Sequence, residues 1–518
     1  MAHRKSLTRA AKQRRIAHFL AQPLQAAAPG QSATLTGVQK ADLEARTVGR
    51  VVFPWDADYD ADRQETNPAF QYYPLVIVYC ACETDVLVSM GVARDAGLAV
   101  SVRSGGHSTA GYSVNTGGMV IDLSEMKGVV LDEDRALVHV LPGTPFEVFN
   151  GALNGTGWHV PTGACGSVCV AGFVQGGGYG YTSRTYGIQS DKAAAFRVAL
   201  ASGTVVTANE RENADLFWAL RGGTGGNFGV VLQVSYHMVR LPSVWGWSIT
   251  WQAAQAAQVL ALLQKDYTRQ GAPEQLGYMM NLGYYNGQVV YMVQGMYCGP
   301  RDEGYAAIEP LLQIPGAQLV VDKVGTYPEL NNYFEDHPYP LPQDLPDGIC
   351  ETKASGYIDK PIPQAVWQQV IDQFHQAVNP WSMVYTEPYG GAIARYPVEG
   401  SAFVHRHVDM DIVIDGCWRD EEERVKVQAW IDGLYDLLRP YMNGHVYQNY
   451  PDRTLKDFAK AYWGDATYRR LREVKTKYDP PTSSATSRAL HLCKPRLRAG
   501  RGAAPCGAHG TQAEAGTA

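Results

Sequence analysis

The sequence predicts an α+β protein of two domains, because the composition and periodicity of its 518 residues change along the chain. Residues 47–240 are rich in glycine and mix short β-branched runs with helical patterns. Residues 241–446 alternate amphipathic helical segments with tyrosine-rich strands, and residues 447–480 add a turn and a helix. Strand and helix periods mixed within one stretch are typical of an α+β fold.

Strands in the first stretch are predicted from β-branched runs bounded by glycine, and its helix from an amphipathic pattern. The strand runs are YPLVIVYC, GMVIDLS, FRVALASGTVV and FGVVLQVSYHMV, and the helix is ETDVLVSMGVARDAG. In the second stretch, helical patterns such as AAQAAQVLALLQKDY and EEERVKVQAWIDGLYDLLRPY flank the strand-like segment LGYMMNLGYYNGQVVYMVQGMY. An antiparallel sheet backed by helices would produce this alternation. Residues 1–46 are predicted to be an N-terminal extension.

The composition excludes several classes of partner. A net charge of −6 and a pI near 6.1 give no sign of a nucleic-acid partner or an anionic membrane surface. The first fifteen residues are basic and are expected to form a flexible tail. No apolar run reaches the roughly 18 residues that a membrane span needs, and the basic start leads into a poor secretion segment, so we expect a soluble, cytoplasmic protein. The nine cysteines lack zinc-ribbon spacing, so most are expected to be free thiols.

Three glycine-rich units carry the main functional signal. The first, RSGGHSTAG at residues 103–111, follows an apolar strand. Its glycines let backbone N–H groups approach a ligand, while Arg103 and Ser104 suit a phosphate. His107 is either an ordinary loop histidine or a point of attachment. The second unit spans residues 161–191, and the third spans residues 216–231.

None of these units has the GxGxxG register, a P-loop GK or a GxSxG serine. This argues against a Rossmann dinucleotide site, a P-loop NTPase and an α/β-hydrolase. For one unit alone, ordinary loop glycines are an equal explanation. Because an interior glycine costs roughly 0.5–1 kcal/mol, the three units together favour a large, extended, phosphate-bearing cofactor that lies against the backbone.

A metal site is the competing interpretation of AFVHRHVDMDIVI. Strand alternation would place four metal-ligating side chains on one face, namely His405, His407, Asp409 and Asp411. A sheet with one solvated face produces the same alternation, so we predict no metal site.

The segment VYQNYPDRTL places Tyr447 and Tyr450 three residues apart beside Asn449. These tyrosines either pack beside a turn or supply a general base. A phenol with an ordinary pKa near 10 acts as a base near neutral pH only when neighbours stabilise its phenolate, or when it loses its proton in step with the chemistry.

Together these segments resemble the berberine-bridge-enzyme-like branch of FAD-linked oxidases, whose fold is similar to that of vanillyl-alcohol oxidase. The resemblance covers about residues 48–480. It rests on VRSGGHS, PTGACGSV, GGGYGYTSRTYG, DLFWALRGGTGGNFGVV, YGGAIARY, AFVHR and YQNYPD in the family's order. It implies a two-domain α+β fold in which residues 47–240 and 447–480 bind FAD, while residues 241–446 form an antiparallel substrate-binding sheet backed by helices.

The resemblance implies that FAD is held by two covalent bonds, from His107 to the 8α-methyl group and from Cys165 to C6. It also implies further cofactor-binding positions, which are Arg103, Ser104, Gly105, Gly106, Ser108, Val168, Gly172, Gly176, Gly177, Gly178, Gly187, Ile188, Asp191, Gly229, Val230, Val231 and Asn449. Tyr450 is implied as the catalytic base, with Tyr447 as its neighbour. Val168 stands where valine accompanies oxidases, which implies that O2 is accepted and H2O2 is made.

The implied reaction transfers a hydride from an alcohol or hemiacetal carbon of a sugar, oligosaccharide or glycosylated natural product to flavin N5. Oxidative cyclisation or bond formation on an alkaloid-like or phenolic molecule is the alternative reaction, and an inactive flavin-binding protein is the alternative outside enzymes. Candidate substrate contacts near family motifs are Thr109, Tyr385, Glu387 and Arg406. Many members of the family have an aromatic residue at the position of Thr109. Cys169 replaces a common glycine and is expected to pack as a small apolar residue.

The resemblance ends after Pro480. Family members usually finish with a segment like DPxNFFRxEQxI, and one set of codons for NFFRYEQ, read one base later, encodes TSSATSR, which is residues 482–488 here. We therefore expect residues 481–518 to be a disordered, out-of-frame tail. A genuine but unusual tail is the alternative.

Overall fold

The computed structural model describes residues 34–269, 271–285, 288–336, 346 and 348–480. The basic N-terminal segment and the tail after Pro480 therefore lie outside the described residues, as do the predictions made for them. The chain forms two lobes, a small-sheet lobe and a large-sheet lobe, which are defined by the strands given below. The predicted α+β class with two domains is confirmed.

The small-sheet lobe contains a four-stranded sheet, a five-stranded sheet and a two-stranded ribbon. Its helices are α1 (Gly37–Arg46), α2 (Tyr59–Asp62), α3 (Glu83–Asp95), α4 (Phe146–Leu153), α5 (Val170–Gln175), α6 (Ser183–Tyr186) and α7 (Ala214–Ala219). Its strands are β1 (Val51–Val52), β2 (Val76–Tyr79), β3 (Val100–Arg103), β4 (Met119–Asp122), β5 (Val129–Asp132), β6 (Leu137–Val140), β7 (Trp158–His159), β8 (Ala193–Ala199), β9 (Val205–Ala208), β10 (Val230–His237) and β11 (Val239–Arg240).

The first sheet has the order β1-β2-β4-β3, and β4 pairs in parallel with both β2 and β3. α3 connects β2 to β3, which lie on either side of β4, and the segment of residues 104–118 connects β3 to β4. Because β3 ends at Arg103, the RSGGH loop leaves the carboxyl edge of this sheet, where ligands usually bind in such folds. The second sheet, β5-β6-β10-β8-β9, is antiparallel throughout.

Part of the predicted N-terminal extension is a packed helix. α1 begins at a capping box, in which the side chains of Thr36 and Gln39 each accept from the other's backbone N–H. Leu43 of this helix is fully buried in the core cluster that contains Val86 and Val92 of α3. Sequence reasoning missed this helix because it has one buried apolar position and little periodic signal.

The large-sheet lobe holds one antiparallel sheet of seven strands in the order β15-β12-β14-β13-β17-β18-β16. Its strands are β12 (Val244–Trp251), β13 (Leu276–Tyr285), β14 (Gln288–Tyr297), β15 (Gln318–Gly325), β16 (Cys350–Ile358), β17 (Met383–Pro388) and β18 (Met410–Trp418). Its helices are α8 (Ala253–Asp266), α9 (Arg301–Leu312), α10 (Tyr327–Asp336), α11 (Gln364–Phe374), α12 (Gly391–Arg395) and α13 (Glu421–Leu438).

The two faces of the large sheet have different neighbours. Ile412 and Ile414 of β18 belong to a core cluster with Trp367 of α11 and Trp430 of α13. Successive side chains of a strand point to opposite faces, so the alternate residues 411, 413 and 415 face away from these helices. Cross-strand pairing places Glu387 beside Asp411, Tyr385 beside Val413 and Lys353 beside Asp415. The face of the sheet opposite α11 and α13 therefore carries a row of polar side chains, namely Lys353, Tyr385, Glu387, Asp411 and Asp415.

The chain then returns to the small-sheet lobe through α14 (Phe458–Tyr478). Trp463 and Leu471 of this helix are buried in one cluster with Phe196 and Phe217. The helix is kinked at Gly464, whose φ of 68° lies in the left-handed region that glycine tolerates. Within the described ranges, no helix is both long and apolar enough to cross a membrane.

Candidate active site

The two candidate attachment residues share one hydrogen-bonding neighbour. The Ser167 hydroxyl oxygen lies 3.2 Å from His107 Nε2 and 3.3 Å from Cys165 Sγ. The imidazole nitrogen and the thiol sulfur are therefore no farther apart than the sum of these two distances. Cys165 is an exposed free thiol, and burial lowers the pKa of His107, so its ring is neutral near pH 7 and keeps a lone pair. A neutral imidazole nitrogen and an exposed thiol this close together suit two covalent bonds to one ring of a flavin.

The loop that carries His107 is held by residues from distant parts of the chain. Asn67 Nδ2 donates to the carbonyl oxygens of Thr109 (3.1 Å) and Glu351 (2.7 Å). Arg453 Nη1 donates to the carbonyl oxygen of Ala110 at 3.0 Å. The position of His107 therefore depends on β16 and on the segment that follows Tyr450.

The guanidinium of Arg103 is bonded within the protein, and its predicted phosphate contact stays a prediction. Its guanidinium pairs with Asp122 and also donates to the Gln64 carbonyl oxygen (3.0 Å) and to Tyr79 Oη (3.2 Å). The charged group is buried and its donors point into the protein, so Arg103 stabilises the base of the loop. Ser104, Gly105, Ser108 and Thr109, by contrast, are partly exposed along the same loop.

The glycine cluster at residues 176–178 has a packing cause that sequence reasoning missed. A Cβ at Gly176 would lie 2.0 Å from Asn449 Oδ1, and one at Gly177 would lie 2.7 Å from the Phe403 ring. A Cβ at Gly178 would lie 2.6 Å from the Phe173 ring. These glycines let protein segments approach each other, so their density alone is not a signal of a ligand. Their cofactor role stays a prediction.

Most of the other predicted cofactor positions also have structural neighbours. A Cβ at Gly187 would meet the Asp191 carboxylate, and one at Gly229 would lie 2.5 Å from the Ala199 carbonyl oxygen. Buried hydrophobic clusters contain Ile188, Val230 and Val231, and Val168 packs at the edge of such a cluster. Gly106 has a φ of 70°, and Gly172 is exposed with open space around it.

Asp191 and Arg406, predicted as cofactor and substrate contacts, form a single buried ion pair, and their predicted roles stay predictions. The guanidinium of Arg406 donates to both carboxylate oxygens at 2.7 and 2.8 Å, and also to Ser401 Oγ and the Phe403 carbonyl oxygen. Ile188 N–H donates to the same carboxylate at 3.1 Å. These bonds occupy both side chains, and Asp191 anchors the loop after Gly187.

Tyr447 is locked by three hydrogen-bond donors. Its hydroxyl oxygen accepts from Gly178 N–H (2.8 Å), Tyr179 N–H (3.2 Å) and Asn449 Nδ2 (3.0 Å). Asn449 Nδ2 also donates to the Phe173 carbonyl oxygen. Tyr447 and Asn449 therefore hold the glycine-rich segment in place, and burial raises the pKa of Tyr447 above its ordinary value.

Tyr450 has a different environment, because its hydroxyl donates to Glu387 Oε1 at 2.7 Å. Glu387 is 1% exposed, and burial raises its pKa to about 7. Tyr450 is half-buried, and its pKa is raised well above its ordinary value by burial and by the nearby Glu387 charge. The Tyr385 ring meets the Tyr450 ring edge-on, with 6.0 Å between centroids. The structure thus joins Tyr450, Glu387 and Tyr385 in one cluster.

Lys353 is a member of this cluster that sequence reasoning missed. Its ammonium group pairs with Asp415, lies 3.5 Å from Glu351 and faces the Tyr450 ring at 6.0 Å. Burial alone would lower the pKa of Lys353, but the charges of Asp415 and Glu351 outweigh burial and keep the amine protonated. The signal in the sequence was a lysine inside the strand segment ETKASGYI, whose neighbours only the sheet register reveals.

The strand alternation considered for a metal site does not extend through the four residues. His405 and His407 precede β18, which begins at Met410. Asp409 pairs with Arg269 and accepts from Gln264 Nε2 at 2.9 Å. Among the residues that the structure describes, no group of three or more His, Cys, Asp or Glu side chains is placed to hold a metal ion.

Comparison with known proteins gives matches at both ends of the folded region. Two family models match, a FAD binding domain at residues 74–209 and a berberine and berberine-like segment at residues 446–482. YvdP, an uncharacterized FAD-linked oxidoreductase of Bacillus subtilis, is 32% identical over 441 residues, which span 83% of this chain and 95% of that protein. The carbohydrate oxidase of Microdochium nivale is 26% identical over 449 residues, which span 82% of this chain and 90% of that protein.

Solved structures show the same fold. BBE-like 1 of Physcomitrella patens, in its wild-type form, superposes with a TM-score of 0.79 at 23% identity, covering 88% of this chain and 99% of that chain. With the family models and relatives, this similarity confirms the predicted fold and the binding of FAD. The chain therefore belongs to the berberine-bridge-enzyme-like family of FAD-linked oxidoreductases.

Proposed function

We propose that the protein is an oxidase that removes a hydride from an alcohol or hemiacetal carbon of a sugar, oligosaccharide or glycosylated natural product. FAD, when bound, supplies the hydride acceptor at N5, and O2 takes up the electrons to give H2O2. The 2.7 Å bond between Tyr450 Oη and Glu387 Oε1 carries the proposal, because an alcohol must lose its hydroxyl proton as the hydride leaves. The name of the carbohydrate oxidase relative supports the sugar class.

Tyr450 and Glu387 would move that proton together. Because burial raises the pKa of Tyr450, a free phenolate is disfavoured near neutral pH. The phenol can instead accept the substrate proton while its own proton passes to the Glu387 carboxylate. With a pKa of about 7, Glu387 is available as a base near neutral pH, where general acid–base catalysis is most effective. Such catalysis contributes a factor of about 10² to 10⁴.

The charge of Lys353 would keep this pair in its reactive state. Lys353 lowers the pKa of Glu387, in opposition to burial, so a usable fraction of Glu387 remains ionised at neutral pH. The ammonium group pairs with Asp415 on the neighbouring strand and acts on Glu387 through its charge. Tyr385, which packs on Tyr450, would line the space where the substrate hydroxyl binds.

Bicovalent attachment of FAD through His107 and Cys165 is part of the proposal. It is supported by the shared Ser167 neighbour, the neutral imidazole and the exposed thiol. His107→Ala and Cys165→Ala are each expected to retain flavin through the remaining bond after acid precipitation. The double variant is expected to release all of its flavin on denaturation. Complete release of flavin from the wild-type protein would contradict the attachment.

Val168 is the proposed control point for O2. It follows Cys165 by three residues and is half-buried at the edge of a hydrophobic cluster. Val168→Leu is expected to slow reoxidation of the reduced flavin by O2 more than it slows reduction by substrate. Stopped-flow absorbance separates the two half-reactions, and an unchanged rate of reoxidation would show that Val168 does not control the reaction with O2.

The lobes have separate proposed roles. Residues 47–240 and 447–480 would bind FAD, while residues 241–446 would cover the substrate with the face of the large sheet that carries Glu387. A screen of sugars and glycosides for H2O2 release tests the substrate class. Release with sugars but not with alkaloids or phenols supports the proposal. A yellow protein that no alcohol reduces would be an inactive flavin-binding protein and would contradict the proposal.

A further inference from the structure

The loop that carries Cys165 is bound by a helix of the opposite lobe. Residues 161–168 connect β7 to α5 in the small-sheet lobe, whereas α10 belongs to the large-sheet lobe. Three side chains of α10, at positions 327, 331 and 335, contact this loop. They are spaced four residues apart, so they lie on one face of the helix.

Each of the three side chains bonds the backbone of the loop. Tyr327 Oη donates to the Thr162 carbonyl oxygen at 3.1 Å, and Asn331 Nδ2 donates to the Ala164 carbonyl oxygen at 2.9 Å. The Glu335 carboxylate accepts the N–H of residue 166 with both oxygens, at 2.8 and 2.9 Å. The helix therefore binds every second residue of the loop.

The spacing of the three helix residues matches the spacing of the loop residues that they bind. Four helical residues rise about 6 Å, and two residues of extended chain span roughly 6.6 Å. Positions i, i+4 and i+8 of α10 can therefore meet residues 162, 164 and 166 in turn. Cys165 lies between residues 164 and 166, so Asn331 and Glu335 hold the backbone on both sides of it.

The contact leaves little room for a side chain at the residue after Cys165. A Cβ at Gly166 would lie 2.7 Å from Glu335 Oε2 and 3.3 Å from Glu147 Cβ. A side chain at this position would displace the Glu335 carboxylate from the N–H of residue 166. Asn331 is 1% exposed and Glu335 is exposed, so the contacts between α10 and the loop run from the protein interior to the surface.

We propose that Asn331 and Glu335 are positioning residues for the bond between Cys165 and the flavin. By holding the loop, they would keep the thiol on the same side as His107, near the shared Ser167 hydroxyl. This inference rests on the bicovalent attachment proposed above. Replacement of a ring hydrogen by sulfur forms one C–S bond and breaks one C–H and one S–H bond. The two electrons and two protons released pass to O2, which becomes H2O2.

The test maps the flavin bonds in purified full-length protein. Proteolysis and mass spectrometry measure the ratio of flavin bonded to the His107 peptide alone to flavin that joins the His107 and Cys165 peptides. Alkylation of the denatured protein measures the free Cys165 thiol independently. Neither readout depends on turnover.

Glu335→Ala is expected to raise the ratio of singly to doubly bonded flavin about tenfold, the factor that corresponds to ~1.4 kcal/mol. Asn331→Ala and Gly166→Ala should act in the same direction, and total flavin should stay near the wild-type level because the His107 bond remains. Glu335→Gln keeps an acceptor oxygen and should restore most of the double attachment. Asn332→Ala, at an exposed position of the same helix, is the matched control and should leave the ratio unchanged.

The outcomes separate the two proposals. A wild-type protein without a Cys165–flavin bond overturns the bicovalent attachment and, with it, this inference. A doubly bonded wild type together with an equally doubly bonded Glu335→Ala and Gly166→Ala overturns the positioning role alone. Glu335 is exposed and its removal leaves no cavity, so Glu335→Ala still tests the proposal if Asn331→Ala fails to fold.

Discussion

Tyr447 and Tyr450 lie three residues apart in one short segment, yet their hydroxyl groups face different lobes and make opposite kinds of hydrogen bond. The Tyr447 oxygen accepts from Gly178 and Tyr179 of the glycine-rich segment and from Asn449 of the YQNY motif. The Tyr450 hydroxyl donates to Glu387 on the face of the large sheet opposite α11 and α13. A tyrosine surrounded by donors organises backbone, whereas a tyrosine that donates to a carboxylate can pass on a proton.

The neighbours of each tyrosine explain this difference. Backbone N–H groups cannot accept a proton, so the bonds to Tyr447 keep its oxygen fixed without giving it a proton acceptor. Glu387, with a pKa near 7, can exchange a proton under ordinary conditions. Position in the YQNY motif alone does not separate the two roles. Their hydrogen-bond partners do: Glu387 lies 63 residues from Tyr450, and Gly178 lies 269 residues from Tyr447.

The largest expected effect is that of Tyr450→Phe. Loss of the hydroxyl removes the group that accepts the substrate proton, so the rate of flavin reduction by substrate should fall about 10²-fold or more. Stopped-flow absorbance under anaerobic conditions measures this rate directly. FAD content should remain at the wild-type level. Normal flavin reduction in this variant would show that another residue is the base.

Glu387→Gln is expected to have a similar effect on rate and a clearer effect on pH dependence. The base form of Glu387 is needed, so kcat/KM of the wild type should rise as pH increases through about 7. The amide cannot take up a proton, so this rise should be absent in the variant. A pH–rate profile from pH 5 to 9 tests the prediction. An unchanged rise near pH 7 would assign it to a different group.

Tyr447→Phe should affect stability more than chemistry. It leaves the N–H groups of Gly178 and Tyr179 buried without an acceptor, which typically costs about 1 to 3 kcal/mol. A lower Tm and a lower denaturant midpoint are expected, with flavin reduction slowed less than tenfold. A rate loss as large as that of Tyr450→Phe, at unchanged stability, would reverse the assignment of the two tyrosines.

Asp411→Asn is expected to have the smallest effect. Asp411 pairs across the strands with Glu387, and burial together with that neighbour raises its pKa well above its ordinary value. This shift favours the neutral carboxylic acid, which the neutral amide of Asn mimics, so the substitution should leave the pH–rate profile in place. A shift of the rise to lower pH would mean that Asp411 is charged in the wild type.

Some of this arrangement could be predicted from the sequence. The glycine-rich units, YQNYPD and the order of the motifs indicated the fold, the family and FAD, because short-range motifs preserve the residues that a cofactor needs. Glu387 was selected as a polar residue beside YGGAIARY, and the structure places it against Tyr450.

Long-range partners could not be predicted. Arg103, Asp191 and Arg406 are residue types that suit a phosphate, a cofactor and a substrate, but each is bonded within the protein. Asp191 and Arg406 lie 215 residues apart, so no local pattern reveals their ion pair. Lys353 enters the site through the register of β16 with β18, which depends on the whole sheet. Close packing between distant segments likewise accounts for glycines that local reasoning had assigned to a ligand.

The most direct test of the account is a double-mutant cycle between Tyr450 and Glu387, measured as the rate of flavin reduction by substrate. If the two residues pass one proton as a unit, the variant with both Tyr450→Phe and Glu387→Gln should be no slower than the slower single variant, because residues that act together lose their effect together. If the two losses multiply, the residues act independently, and the proposed transfer of the proton from Tyr450 to Glu387 is wrong.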